Sequence, residues 1–211
     1  MQNNITRTNT KMVVSTTGLL HPVPLAPEDE GSRELTCYIR DGKDEEVACF
    51  IAAGACQFKR PLIKEGYKPL HCSAVFGQIS TLQLLLEHKA NPNERVAEKR
   101  QLTALHLAAQ KGYQDCVKIL LRYKADPNAT LQPTDTPHPS DEPQAFYPPR
   151  LRYTPLDWAI IENKIAVVEI LLCSVILVRQ GDHSPVVIAT RNPNATILFL
   201  LFVSVSEMVQ S

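Results

Sequence analysis

Residues 102–112 read Leu102-Thr103-Ala104-Leu105-His106-Leu107-Ala108-Ala109-Gln110-Lys111-Gly112, and this stretch decides the fold because it is not unique in the chain. Leu105-His106 repeats Leu70-His71, Gly112 repeats Gly77, Ala125 repeats Ala90 and Pro127 repeats Pro92, all at a shift of 35. One more step back by 35 meets Leu35, Gly42 and Ala55. Forward, the interval lengthens: Thr154-Pro155-Leu156 with Trp158-Ala159, then Val168, Leu171 and Leu172, stand 51 residues beyond the third copy. A fifth, weaker copy follows 30 residues later, as Ser184-Pro185-Val186 with Ala189, then Leu198, Leu201 and Phe202.

Aligned, the copies read as a pair of short helices. Val47/Phe50/Ile51, Leu82/Leu85/Leu86, Val117/Leu120/Leu121, Val168/Leu171/Leu172 and Leu198/Leu201/Phe202 repeat an i, i+3, i+4 spacing that lines one helical face. The column Ser73, Ala108, Ala159 and Ala189 is small enough for neighbouring helices to approach closely. Thr154-Pro155 and Ser184-Pro185 put a hydroxyl at the N-cap and a proline at the first helical position. Gly42, Gly77 and Gly112 should stop the first helix, with Asn163 taking that position in the fourth copy; Pro193 cannot, so the fifth turn must differ.

Gly66-x-x-Pro69-Leu70-His71-x-x-Ala74, the stretch 102–112, and the endings Ala90-Asn91-Pro92-Asn93 and Ala125-Asp126-Pro127-Asn128 resemble the ankyrin repeat. The resemblance implies an all-α repeat solenoid of helix-turn-helix pairs with β-hairpin-type fingers, about five copies with degenerate ends. The expected organisation is a disordered tail over 1–31, a repeat domain over 32–203 and a tail over 204–211. Repeats are placed near 32–65, 66–100, 101–128, 152–182 and 183–203. The interval of 129–150 holds six of the chain's 16 prolines and reads as an insert that cannot pack a core of its own.

Composition narrows the function classes. In 211 residues, 22 Lys+Arg balance 22 Asp+Glu, so no global field collects nucleic acid or anionic membrane, and any partner is chosen by local surface. Cys37, Cys49, Cys56, Cys72, Cys116 and Cys173 form no C-x-x-C and no zinc-finger spacing, which points to reduced thiols and no metal. Residues 1–20 lack an apolar core behind positive charge, so the chain reads as cytoplasmic or nuclear, and the N-x-T sequons at Asn4, Asn128 and Asn194 then carry no weight. The apolar run Ile197–Val203 falls short of the roughly 20 residues a spanning helix needs, which makes a membrane role the minor reading.

No Gly-rich phosphate loop, G-x-S-x-G or H-E-x-x-H occurs. The resemblance assigns His71 and His106 to hydrogen bonds within and between repeats, and it implies a non-enzymatic scaffold or adaptor with no cofactor and no small-molecule ligand. The expected partner is an extended segment of another protein, bound on the concave face across repeats 2 to 4. A substrate-recruiting subunit of a ubiquitin ligase and a repeat module of a membrane-associated protein stand as alternatives.

The expected binding positions lie near the end of each first helix: Arg40, Phe76, Gln110, Lys111, Ile161 and Glu162, with Phe76 as an aromatic where polar residues are usual. Lys59 and Arg60 in one finger, and Arg95, Lys99 and Arg100 in the next, form either a solvated charged rim or a surface for an acidic peptide. Phe146 and Tyr147 near the end of the insert are further candidates, and the resemblance suggests Asn93 and Asn128 as hydroxylation sites. Phe199 stands in a column held elsewhere by Ala48, Gln83, Lys118 and Glu169, so the last repeat lacks a polar outer face. Coverage by a partner or a second copy, truncation of a longer protein, or a sticky degenerate segment would account for it.

Overall fold

In the computed structural model, each copy of the repeated segment forms a short helix that turns sharply into a second. The structure describes residues 10–14, 20–24, 30–53, 66–96, 101–130, 153–174, 185–190, 192 and 194–210. Contacts divide the chain into two units, Met1–Asn91 and Pro92–Ser211. The first holds β1 (Thr10–Val14), β2 (Leu20–Pro24), α1 (Glu30–Arg40), α2 (Asp44–Ala52), α3 (Pro69–Phe76) and α4 (Ile79–Glu87). The second holds α5 (Ala104–Lys111), α6 (Gln114–Arg122), α7 (Pro155–Ile161), α8 (Ile165–Leu172), α9 (Pro185–Thr190) and α10 (Ala195–Gln210).

The helices pair in sequence, and pairs pack on pairs. In the first unit α1 packs on α3 and α2 on α4; in the second α5 packs on α7, α7 on α9, α6 on α8 and α8 on α10. Buried Leu35, Ile39, Val47, Phe50, Leu70, Leu82 and Leu85 form one core, and Leu105, Leu120, Leu156, Ile160, Leu171, Ile197 and Leu201 the other. These are the columns of the repeat, so the periodicity in sequence is the periodicity of burial.

The start of each first helix explains why the Leu-His pair recurs. Thr103 is extended at φ −95°, ψ 165°; its N–H and its hydroxyl both donate to His106 Nδ1, at 3.2 and 2.8 Å. Accepting on Nδ1 leaves the ring proton on Nε2, which donates to the Tyr153 carbonyl of the next pair at 3.2 Å. His106 therefore ties a helix start to itself and to its neighbour. In α7 the same position is Asp157, which is fully buried and accepts from the Thr154 N–H and hydroxyl at 2.7 and 2.8 Å. In α3 the N-cap is Lys68: its N–H donates to His71 Nδ1 at 3.2 Å, but its side chain caps nothing.

The helix stops are as the spacing predicts. Gly112 has φ +84°, and the Tyr113 N–H closes the turn on the Ala108 carbonyl at 3.0 Å. A Cβ on Gly112 would sit 2.8 Å from Cδ of Lys164, whose stem lies across this turn from the following pair. Asn163 replaces glycine at φ +56° in the fourth turn. The fifth differs, as Pro193 requires: Asn192 donates its amide to the Ile160 carbonyl, and Asn194 donates to Asn163 Oδ1 at 2.8 Å.

Two expectations are corrected. Within 1–31, expected to be a disordered tail, β1 and β2 pair antiparallel with Thr10 opposite Pro24, and the pair lies against α2. Val13, Val14 and Val23 favour extended backbone, and the prolines of β2 are tolerated because a two-stranded sheet has only edges. The tail expected from 204 is the second half of α10, since no glycine or proline stands between Ala195 and Gln210 to stop it. Cys37 and Cys72, 35 residues apart in one column of the repeat, differ in burial: Cys72 is buried and Cys37 exposed.

Two predictions follow from these helix starts. Lys68→Thr supplies the missing hydroxyl in a backbone already extended at φ −91°, ψ 167°; urea denaturation should show about 1 kcal/mol of added stability. Burial, with the Arg95 charge adding, lowers His106 to about 4 despite the carbonyl that favours its charged form. A depressed histidine pKa means the unfolded chain binds more protons between the two values, so this contribution is intact above about pH 6.5 and lost as pH falls towards 4. From pH 7.5 to pH 4.5, stability should drop by about 2 to 3 kcal/mol more than in a His106→Gln variant, whose amide also suits the third helical position.

Candidate partner-binding surface

The ends of the first helices are held fixed from outside. Gln78, just past the α3 stop, donates its side-chain amide to the Arg40 carbonyl at the end of α1, 2.7 Å away, and its amide packs over Gly42. Thr81 in α4, fully buried, donates its hydroxyl to Asp44 Oδ1 at the start of α2. Side chains carried here sit on backbone braced by these bonds.

In the first unit this places Arg40 and Phe76 on neighbouring helix ends. Arg40 is exposed and pairs with Asp41 at 2.9 Å; the hydrogen bond to its guanidinium holds the Asp41 carboxyl below its ordinary value. Phe76 ends α3 with 36% of its surface exposed, and Ile79, across the Gly77 turn, is 42% exposed. The two make an apolar edge beside a charged one. In the second unit Gln110 is half-buried and Lys111 exposed at the end of α5, while Ile161 is half-buried and Glu162 exposed at the end of α7. These two ends are neighbours, since α5 packs on α7. Tyr113, at 38% exposure, adds an aromatic ring beside Lys111.

Ile79 and Tyr113 escape a reading confined to the helix ends. Their signal lies in the next columns, where Asp44, Ile79 and Gln114 align, as do Gln78, Tyr113 and Lys164. Asp157 in the column of His71 and His106 was equally visible.

The finger residues divide. Arg95 is half-buried, and its guanidinium donates to the carbonyls of Gln101 at 3.2 Å and Thr130 at 2.9 Å. With the Val96 N–H on the Leu102 carbonyl and the bridge of Arg95 to Thr103, it builds the finger as a short hairpin. Those contacts occupy the cation that sequence reading offers to an acidic peptide. Asn93 is also a brace: its side chain donates to the Lys124 carbonyl at 3.1 Å and accepts from the Asp126 N–H at 2.7 Å. The Asn128 side chain is exposed, and its backbone N–H donates to Asp126 Oδ1 at 2.9 Å. Lys59, Arg60, Lys99, Arg100, Phe146 and Tyr147 lie outside the described residues.

Among the described residues, no group of three or more His, Cys, Asp or Glu could hold a metal ion, and no helix is long and apolar enough to cross a membrane. Burial pushes the Cys116 thiol up to about 11, with Asp115 adding to the effect, so this cysteine is a packing residue and a poor nucleophile.

No curated protein matches the chain at a significant level. A family model described as ankyrin repeats, in three copies, matches residues 35–131, the span from α1 to just past α6. The helix pairs α7/α8 and α9/α10 follow beyond that match. Such repeats are generally protein–protein interaction modules and typically non-catalytic. With the Leu-His helix starts, the paired short helices and the bridged finger all in place, residues 35–131 of this chain are ankyrin repeats.

Proposed function

We propose that this chain is a non-enzymatic adaptor that takes a segment of another protein against the ends of its first helices, with the turn from Phe76 to Ile79 as the apolar anchor. The observation that carries this reading is the pairing of two partly exposed apolar side chains with a turn braced by Gln78 on the Arg40 carbonyl. Aromatic anchors on ordered backbone contribute most of the affinity at protein interfaces, because little entropy is lost on binding. Arg40 and Asp41 beside it supply a polar rim that sets orientation more than affinity. Lys111, Tyr113 and Glu162 make a second, more polar place of the same kind in the other unit. Free thiols at Cys37 and Cys173 suit a reducing cytoplasm or nucleus.

The test is affinity purification with the full chain and with a Phe76→Asp, Ile79→Ser variant whose helical circular dichroism matches the parent. Partner recovery should fall by about tenfold or more, the loss expected when an anchor worth over 1 kcal/mol is removed. Recovery at the parent level would move the binding surface away from this turn.

A further inference from the structure

The turn that ends α5 carries two cations with no counter-charge among the described residues. Lys111 precedes Gly112 and Tyr113 follows it, and both side chains are exposed. From the next helix pair Lys164 reaches back across the same turn: its Cδ lies 2.8 Å, and its Cγ and Cε 3.3 Å, from the place a Gly112 Cβ would take. The ammonium is one bond beyond Cε, so it hangs beside the turn that Lys111 and Tyr113 flank. Lys164 is half-buried and its backbone is fixed, with its N–H on the Ala159 carbonyl at 2.8 Å and its own carbonyl accepting from the Val168 N–H at 3.0 Å.

The column of Lys164 makes the missing partner informative. Lys43 lies over the Tyr38 ring at 5.6 Å, and Gln78 gives its amide to the Arg40 carbonyl at 2.7 Å. Nearby, Arg40 pairs with Asp41 at 2.9 Å and Lys118 with Asp115 at 3.4 Å. Among the described residues, the ammonium of neither Lys111 nor Lys164 has an ion pair, hydrogen bond or ring contact. An ammonium has three donors and accepts nothing, so two of them on one turn call for an acceptor, and an anionic one.

We infer that Lys111, Tyr113 and Lys164 read an acidic residue in the partner segment: the carboxylate of an Asp or Glu sits between the two ammonium groups, with the Tyr113 hydroxyl as a further donor. This rests on the adaptor reading and adds to it the charge of the ligand. The Lys164 stem, already laid across Gly112, gives up fewer rotamers on binding than a free lysine does. The Tyr113 ring adds contact area at low entropic cost. A carboxylate suits the patch better than a phosphate or a nucleic-acid backbone. Glu162 is exposed at the neighbouring end of α7 and leaves one net positive charge, and 22 Lys+Arg against 22 Asp+Glu give the chain no field for a polyanion.

The experiment selects a phage-displayed library of random linear peptides on the immobilised full chain and on a Lys111→Glu, Lys164→Met variant of matching helical circular dichroism. Methionine keeps the stem across Gly112 and removes only the ammonium. Peptides held by the parent should be enriched in Asp and Glu, and that enrichment should vanish on the variant. For the peptide bound best, affinity should fall by about tenfold on the variant, and replacing its acidic residue by lysine should weaken parent binding as much. Selection on the Phe76→Asp, Ile79→Ser variant separates this outcome from the apolar anchor: acidic preference that survives there supports the subsite independently of the anchor. Parent peptides without acidic enrichment overturn the inference, even where they depend on Phe76 and the adaptor reading stands. Enrichment that persists on the Lys111→Glu, Lys164→Met variant overturns it too, as does a parent chain that selects no peptide above background. Binding tightened by about tenfold or more when phosphoserine replaces the acidic residue would assign the two lysines to a phosphate instead.

Discussion

Helices of eight or nine residues do not hold together in water, because the cost of nucleating so short a helix exceeds what its few backbone hydrogen bonds return. The second helices from α2 to α8 have that length, and α3, α5 and α7 are no longer. Their stability must come from apolar columns shared with the neighbouring pair, as with buried Leu105 and Leu156 or Val117 and Val168. Every other feature of the two units answers to this constraint. Glycines and an asparagine at positive φ keep the turns tight enough for both helices of a pair to reach the next one.

The polar braces follow from the same need. Closely packed pairs bury the ends of their first helices, and buried N–H and C=O groups must find partners. His106 serves two of them at once, accepting from Thr103 and donating to Tyr153, and Asp157 serves the same N-cap role where the next position in the column changes type. Gln78, Asn192 and Arg95 reach across to carbonyls of adjoining turns. These bonds engage polar side chains within the fold. Phe76 and Ile79 stay partly exposed on either side of the turn that Gln78 braces.

Two elements depart from the repeated helix pair. Ahead of α1, the β1–β2 pair lies against α2. After α8, the last second helix nearly doubles in length and carries phenylalanine where earlier helices carry Lys118 and Glu169.

Local chemistry repeated at a fixed interval was readable without coordinates. The Leu-His and Thr-Pro-Leu starts, the glycine stops at 42, 77 and 112, and the i, i+3, i+4 triplets each need only their near neighbours in sequence to state what they do. They determined the helix pairs and the core columns. Tertiary structure alone decided which polar groups remain available, since Arg95 and Thr130 stand 35 residues apart and Asn93 and Lys124 31. It also decided that residues 10–14 and 20–24 pair, that α10 runs to Gln210, and that Ile79 and Tyr113 reach solvent. Exposure and hydrogen-bond partnership are properties of what lies across from a residue, and in a repeat protein that neighbour belongs to the next copy along the chain.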